Sequence, residues 1–292
     1  MKKSTWAFLA GSAALAAGAV FVKVVTDKTN DLLVRGSLEA GELKGYDPRT
    51  IRIENDEGMY LIGYLIEQEG ADTTVLMLHD MKEDASGLKD QIDWFMAMMP
   101  SANILAVDMR AHGLSDGYER GLGIDDIDDV VLWNDEILNR FGDDHKIVLY
   151  GKGMGANAAL AAGASKRLRS VKVIVSDGAG NQLSNAIAYR LMKENHLPSA
   201  LTKPLIRLIL RLARGKDVAD ADAAKIVRTN DIPTVFVHAR KDNHVPFASV
   251  FPLFNKQRGD KELFAVAEDH FYDMNMDDDY AQTMIDFVRE YV

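Results

Sequence analysis

The 292-residue chain contains no cysteine and has fewer basic than acidic residues, with 34 Lys and Arg against 44 Asp and Glu. The absence of cysteine excludes disulfides, zinc sites with cysteine ligands, iron–sulfur clusters and a thiol nucleophile. A nucleic-acid-binding surface needs a concentrated basic patch, so a chain of net charge −10 is expected to have no nucleic-acid partner. No spacing of acidic residues matches a known ligand loop, and we predict neither a metal site nor a cofactor. A hydrophobic fraction of 47% is typical of globular proteins and excludes a disordered chain.

The amino-terminal segment differs from the rest of the chain. Two lysines precede an uncharged run, residues 4–22, which is rich in Ala, Leu, Phe and Val. Because roughly eighteen helical residues cross the hydrocarbon core of a bilayer, we predict a single-pass anchor in residues 1–24 and a connector in residues 25–48. A cleaved secretory signal is the alternative, since Ala17-Gly18-Ala19 is a small-x-small pattern, and a buried helix is a third. The signal-like order of charged and apolar residues predicts a membrane-anchored body on the extracytoplasmic side, or a secreted one after cleavage.

Short apolar runs recur through the remainder of the chain. The first two flank a turn at residues 55–58, which predicts an antiparallel hairpin. The later ones alternate with helical patterns, which is typical of a parallel sheet covered by helices on both faces. The predicted strands are residues 50–54, 59–66, 74–78, 103–107, 146–150, 171–175, 233–237 and 262–266. The sequence therefore predicts one α/β domain over residues 49–292 with an eight-stranded sheet.

One interval, residues 181–230, breaks this alternation. It holds two helical patterns, split by Pro198 and Pro204, and no strand. An insertion at this place is expected to form a small helical cap above the carboxyl ends of the strands. The second pattern carries a basic stripe made of Arg207, Arg211 and Arg214. Its spacing fits either the solvated face of a lid helix or a contact with an anionic membrane surface.

A glycine-rich turn, Gly151-Lys152-Gly153-Met154-Gly155-Ala156, lies between a predicted strand and a predicted helix. In hydrolases a G-x-S-x-G turn presents a nucleophilic serine at the start of the helix. In dinucleotide-binding proteins a G-x-G-x-x-G/A turn lets the backbone approach a pyrophosphate, and Asp177 stands roughly where the ribose-binding acid would be. The turn taken alone fits both classes of protein.

Three further segments carry a resemblance to a known family. They are Asp108–Gly117, which reads D-x-R-x-H-G-x-S-x-G, Lys241–Pro246 after a late strand, and Glu268–Tyr272 after the last strand. With the turn at Gly153 they resemble the α/β-hydrolase superfamily, and in particular its serine esterase and serine aminopeptidase-like branch. The resemblance covers about residues 50–292 and implies an α/β-hydrolase fold with a pocket for a small ester, amide or peptide ligand.

Carried over by position, the resemblance places the catalytic acid of the family on Asp242 and its histidine on His270. Asp177 is an alternative acid, because some hydrolases take theirs from this strand. The nucleophilic serine, however, falls on Gly153, which has no hydroxyl group. Without it no acyl-enzyme can form, so we expect a catalytically impaired site.

A second departure affects the oxyanion hole, whose donors the resemblance places on the backbone amides of Met81 and Met154. The family usually has His-Gly where this chain has His79-Asp80, which puts a carboxylate beside a site that stabilises negative charge. Three interpretations remain open. They are a non-catalytic protein that binds a ligand or partner, a hydrolase in which His270 and Asp242 activate water directly, and an introduced substitution or sequence error at Gly153.

Overall fold

The computed structural model describes residues 3–35, 41–267 and 278–292, without the side chains of 3–15 and 278–281. Its helices are α1 (Lys3–Leu33), α2 (Lys89–Met98), α3 (Ile127–Phe141), α4 (Met154–Ala164), α5 (Leu183–Asn195), α6 (Ser199–Asp220), α7 (Ala223–Ile226), α8 (Val250–Lys256) and α9 (Asp278–Tyr291). Its strands are β1 (Arg49–Glu54), β2 (Tyr60–Ile66), β3 (Thr73–Leu78), β4 (Asn103–Asp108), β5 (Lys146–Lys152), β6 (Val171–Asp177), β7 (Thr234–Ala239) and β8 (Lys261–Val266).

The eight strands form one mixed sheet in the order β1-β2-β4-β3-β5-β6-β7-β8. The β1–β2 and β2–β4 pairs are antiparallel, and every other pair is parallel. All residues of β3, β4 and β7 are buried, as expected for strands covered on both faces. The predicted eight-stranded, mostly parallel sheet is confirmed.

Helices cover both faces of the sheet. On one face α3, α4 and α8 pack with their apolar side chains inward, and Trp133 of α3 is among the largest fully buried side chains. On the other face α2 and α9 contribute to a second cluster, and Phe95 of α2 is fully buried there. The carboxyl ends of the parallel strands β3, β5, β6 and β7 therefore meet at one edge, where ligands of open α/β sheets bind.

Helix α1 continues past the predicted boundary at residue 24 and ends at Leu33. Its length of 31 residues corresponds to about 46 Å. Val25, Thr29, Leu32 and Leu33 recur at helical spacing and are buried against the body, whereas the charged residues between them are exposed. Much of the predicted connector is therefore an amphipathic helix that packs on the domain and on α6.

The end of α1 is fixed by hydrogen bonds to the segment after β4. The guanidinium of Arg35 donates to the carbonyls of Gly113 (2.6 Å) and Ser115 (2.7 Å). The amide of Arg120 donates to the Leu33 carbonyl at 2.9 Å. These bonds join the amino-terminal helix to the loop that follows the D-x-R-x-H-G motif.

Among the residues that the structure describes, no helix combines the length and the apolar character needed to cross a membrane. The greater part of the uncharged run 4–22 falls within residues 1–15, whose side chains are not described. The membrane anchor and the extracytoplasmic location thus stay predictions.

Helices α5, α6 and α7 lie between β6 and β7 and form the cap. Pro198 precedes α6, but the predicted break at Pro204 is wrong, because this residue lies inside α6. A proline near the start of a helix removes one hydrogen bond and is tolerated more easily than one in the middle. The interruption occurs instead at Gly215, whose φ of 84° lies in the left-handed region.

The three arginines of the basic stripe have acidic partners. Arg207 and Arg211 both pair with Asp220 on the same helix and remain half exposed. Arg214 is buried, donates to Asp125 (2.6 Å) and to the carbonyl of Arg120 (2.6 Å), and so joins the cap to the body.

Candidate functional site

The turn after β5 has the sharp geometry that its glycines predict. Gly153 has φ 55° and ψ −110°, and its amide donates to the Asp177 carbonyl at 2.7 Å. A Cβ atom on Gly151 would lie 2.3 Å from the Gly155 carbonyl oxygen, and one on Gly155 would lie 2.4 Å from the Leu78 oxygen. The flanking glycines are therefore required by close backbone packing between β3, β5 and α4.

Asp80 occupies the space beside Gly153. The Met154 amide donates to Asp80 Oδ1 at 2.8 Å. A Cβ atom built on Gly153 would lie 2.0 Å from the same oxygen and 2.4 Å from Cγ. The carboxylate thus fills the volume that a side chain at position 153 would need, and it accepts the amide that the sequence assigns to the oxyanion hole.

The backbone of Asp80 is held by His79. The Met109 amide donates to His79 Nε2 at 3.0 Å, so the proton resides on Nδ1, which donates to the Asp80 carbonyl at 2.7 Å. Burial, with a smaller contribution from His112, lowers the pKa of His79 to about 3. The imidazole is therefore neutral and acts as a structural link between β3 and β4.

A buried guanidinium, that of Arg120, interacts electrostatically with Asp80. Arg120 is 2% exposed and donates to the carbonyls of Asp31 and Leu32 at the end of α1. Burial lowers the pKa of Arg120, and the charges of Asp31 and Asp80 oppose that change. The negative charge of Asp80 is thus partly balanced within the fold.

Asp242 lies in a tight turn after β7. Its Oδ1 accepts the amides of His244 (2.7 Å) and Val245 (2.8 Å), and the side chain is 2% exposed. His238, which the sequence reasoning missed, lies with Nε2 3.5 Å from Asp242 Oδ2 and is fully buried. Its position at the end of a strand, four residues before Asp242, is the sequence feature that could have identified it as a partner of the acid.

The other predicted site residues are distributed as follows. Asp177 is buried, and its Oδ2 accepts the hydroxyl of Tyr150 at 2.8 Å. Burial and this carboxylate raise the pKa of Tyr150 well above its ordinary value, so the phenol keeps its proton. Met81 lies beside Asp80 at the cavity, with its carbonyl 2.9 Å from His112 Nε2. His270 lies outside the described residues.

A cavity of about 90 Å³ lies beneath the cap and next to the turn. Its apolar wall combines α1, the body and the cap, through Leu32, Leu122, Leu160, Ile187 and Val218. The amino-terminal helix thus contributes to the cavity that the sequence assigns to the hydrolase domain alone.

Polar groups line the same cavity at separate points. Asp80, Gly153 and Met154 form one side, and the turn that holds Asp242 contributes His244. Arg190 also reaches the cavity and pairs with Glu194 at 2.6 Å. The structure therefore brings the glycine-rich turn, Asp80, Met81 and the turn around Asp242 to one pocket. Among the described side chains, no cluster of three His, Asp or Glu residues could hold a metal ion.

No protein-family model matches the chain. The uncharacterized protein YqkD of Bacillus subtilis (strain 168) is 23% identical over 261 residues, which cover 87% of this chain and 85% of that protein. The Pyrococcus furiosus esterase Pf2001 is similar in structure, with a TM-score of 0.71 and 19% identity over 89% of this chain and 97% of its own. The α/β hydrolase GrgF of Penicillium sp. sh18 has a TM-score of 0.67 and 15% identity, over 84% of this chain and 99% of its own. Est1E of Butyrivibrio proteoclasticus, solved with bound ferulic acid, has a TM-score of 0.61 and 16% identity over 82% and 98%. Likeness at these identities concerns the fold.

Proposed function

Since the chain has the α/β-hydrolase fold, we propose that it binds a small, largely apolar ester, amide or peptide ligand beneath its cap and lacks serine-hydrolase activity. The solved proteins that share its fold include several esterases. Apolar side chains dominate the cavity wall, with polar groups at a few points, which is typical of small-molecule sites.

The position of Asp80 is the observation that carries the proposal. A serine esterase needs a hydroxyl at the turn and backbone donors for the oxyanion of the tetrahedral intermediate. Here Gly153 supplies no hydroxyl, and the Met154 amide already donates to a carboxylate at 2.8 Å. A negative charge at this place would repel the developing oxyanion.

The same carboxylate disfavours a dinucleotide ligand. Phosphates bind at the amino-terminal end of a helix because its amides point outward and its dipole favours negative charge. At the start of α4 this place is taken by Asp80. A thermal shift titration with NAD is expected to leave the melting temperature unchanged.

The first experiment measures whether the two departures from the family act together. We compare labelling by a fluorophosphonate probe and hydrolysis of p-nitrophenyl butyrate in the natural chain, Asp80→Gly, Gly153→Ser and Asp80→Gly/Gly153→Ser. We expect both single variants to be silent, since each lacks either the hydroxyl or the space for it. The double variant should gain at least about 10²-fold in rate, the effect of a positioned acid–base pair.

Replacement of Asp242 by Asn or of His270 by Ala in the double variant is the matched control, and each should remove the gain. Labelling of the natural chain would contradict the proposal, since it would reveal an activated serine. Restored activity in Gly153→Ser alone would show that Asp80 does not block the site.

The second experiment tests binding. Short-chain ethyl esters should raise the melting temperature of the natural chain in a concentration-dependent way, because a ligand that binds the folded state stabilises it. Ala186→Phe, which places a ring in the cavity, should abolish the shift. An equal shift in both proteins would show that the esters bind elsewhere.

A further inference from the structure

Exposed apolar side chains are concentrated in three segments that contact one another. Among the described side chains, nine large apolar residues are exposed, and seven of them lie on α1, on α6 or on the loop bonded to the end of α1. The seven are Val20, Val22, Leu114, Tyr118, Leu201, Leu208 and Leu212. A concentration of this kind on one part of a monomer marks an interaction surface.

The leucines of α6 contribute three of these seven residues. Leu201, Leu208 and Leu212 are 61%, 52% and 79% exposed. Their spacing of seven and four residues places them in one row along about 16 Å of the helix. The buried side chains of the same helix, Ile206 and Leu210, lie on the opposite face and belong to the hydrophobic core, whereas the leucine row lies outside it.

Helix α1 and the loop adjoin this row. Helix α1 packs against α6, and the amide of Arg35 at its end donates to the Tyr118 carbonyl at 2.7 Å. Arg214 of α6 joins the neighbouring residues through Glu119 and the Arg120 carbonyl. These contacts join the three segments, so the seven exposed apolar residues lie on a single structural unit.

We propose that this unit, defined by α1, α6 and the loop 113–120, lies against the surface of an anionic lipid bilayer. Two observations favour lipid over a protein partner. Besides the buried Arg214, helix α6 carries four exposed basic residues against two acidic ones in a chain of net charge −10, so its exposed charge is complementary to anionic headgroups. The uncharged run 4–22 forms the amino-terminal part of α1 itself.

An interfacial helix buries an apolar row at the level of the headgroups and keeps its basic residues in contact with them. The half-exposed Arg207 and Arg211 beside the leucines fit that arrangement. Because Leu32 of α1 and Val218 of α6 line the cavity, the surface would also bring the cavity close to the membrane. This surface would contact the bilayer whether the cavity binds its ligand or converts it.

The absence of cysteine allows a site-specific test in the full chain. We introduce Leu208→Cys or Leu212→Cys, label each with bimane and add vesicles of phosphatidylcholine and phosphatidylglycerol at a ratio of about 7:3. The emission should shift to the blue, and lipids brominated on the acyl chain should quench it. Phe251→Cys on α8, an exposed residue outside the unit, is the matched control and should show neither change.

Vesicles of phosphatidylcholine alone separate the contribution of charge and should give a smaller shift at positions 208 and 212. An unchanged spectrum at these positions while the chain co-floats with the vesicles would overturn the proposal. A shift that depends on protein concentration without lipid would also overturn it, in favour of self-association. A melting temperature close to that of the natural chain verifies that each variant is folded.

Discussion

The Asp80 carboxylate occupies the volume that a side chain at position 153 would need. The two residues together therefore determine which side chains position 153 can hold. A side chain at Gly153 meets two obstacles, a φ of 55° and a carboxylate oxygen 2.0 Å from the Cβ position. A left-handed backbone costs a non-glycine residue about 1–3 kcal/mol, whereas the contact with Asp80 depends on a side chain that can be removed. The two contributions are therefore separable by mutation.

We predict that Gly153→Ala lowers the free energy of unfolding more in the natural chain than in Asp80→Gly. The difference should be about 0.5–3 kcal/mol, the range for residues in contact, and urea denaturation of the four proteins of the cycle measures it. Gly155→Ala is the control, since its Cβ would meet the Leu78 backbone, and Asp80→Gly should leave its cost unchanged. Additive effects of Gly153→Ala and Asp80→Gly would mean that the two residues do not compete for space.

A second residue gives a prediction for pH. Asp126 is fully buried, its Oδ2 accepts the Gly123 amide, and Oδ1 has no hydrogen-bond partner among the described residues. Burial, helped by the nearby Asp129, raises the pKa of Asp126 to about 7. Between about pH 4 and pH 7 the folded state holds a proton that the unfolded state has lost, so stability falls as the pH rises.

We expect Asp126→Asn to flatten this decline and to be more stable than the natural chain at pH 8. Each unit of the shift corresponds to about 1.4 kcal/mol, so the gain should reach a few kcal/mol. Urea midpoints at pH 5 and pH 8 measure it. An equal loss of stability in both proteins between these pH values would assign the pH dependence to other groups.

Among the elements, α6 is hydrogen-bonded to the body through the buried side chain of Arg214. Arg214 is 7% exposed and reaches Glu119, Asp125 and the Arg120 carbonyl, whereas Arg211 on the same helix remains 47% exposed. We predict that Arg214→Ala lowers the free energy of unfolding by about 1–3 kcal/mol, because it removes the charge-assisted hydrogen bonds of a buried guanidinium, including the one to the Arg120 carbonyl. Arg211→Ala should change it by less than about 1 kcal/mol, as for other exposed ion pairs. Equal effects of the two substitutions would show that the buried contacts do not hold the cap.

The strands were predictable because their apolar runs are short, separated by helical patterns and bounded by turn residues. The packing of segment 25–33 was harder to predict from the sequence. Its apolar residues lie on one face of an amphipathic helix, and this face packs on the body and on α6, which are distant in sequence. The glycine-rich turn could be located from its spacing. The resemblance placed the Asp80 carboxylate near the oxyanion hole, but its hydrogen bond with the Met154 amide joins residues 74 positions apart, and no local pattern encodes that bond.

For the molecule as a whole, the role of the first residues can be tested in cells. If residues 1–24 anchor the chain, it should sediment with membranes and resist an alkaline wash, because an apolar helix is not released by removing charge interactions. Sequencing of the mature amino terminus distinguishes an anchor from a signal cleaved near Ala19. Complete release by the wash, with the amino terminus intact, would contradict both.

Helix α1 runs without interruption from Lys3 to Leu33, and Arg35 secures its end to the body. A continuous helix transmits both rotation and displacement, so whatever holds its beginning also fixes the direction in which the pocket faces. Insertion of one residue between positions 16 and 24 would turn the body by about 100° around the helix axis and move it by about 1.5 Å. The number of residues in α1 therefore determines the direction in which the pocket faces, relative to whatever holds the beginning of the helix.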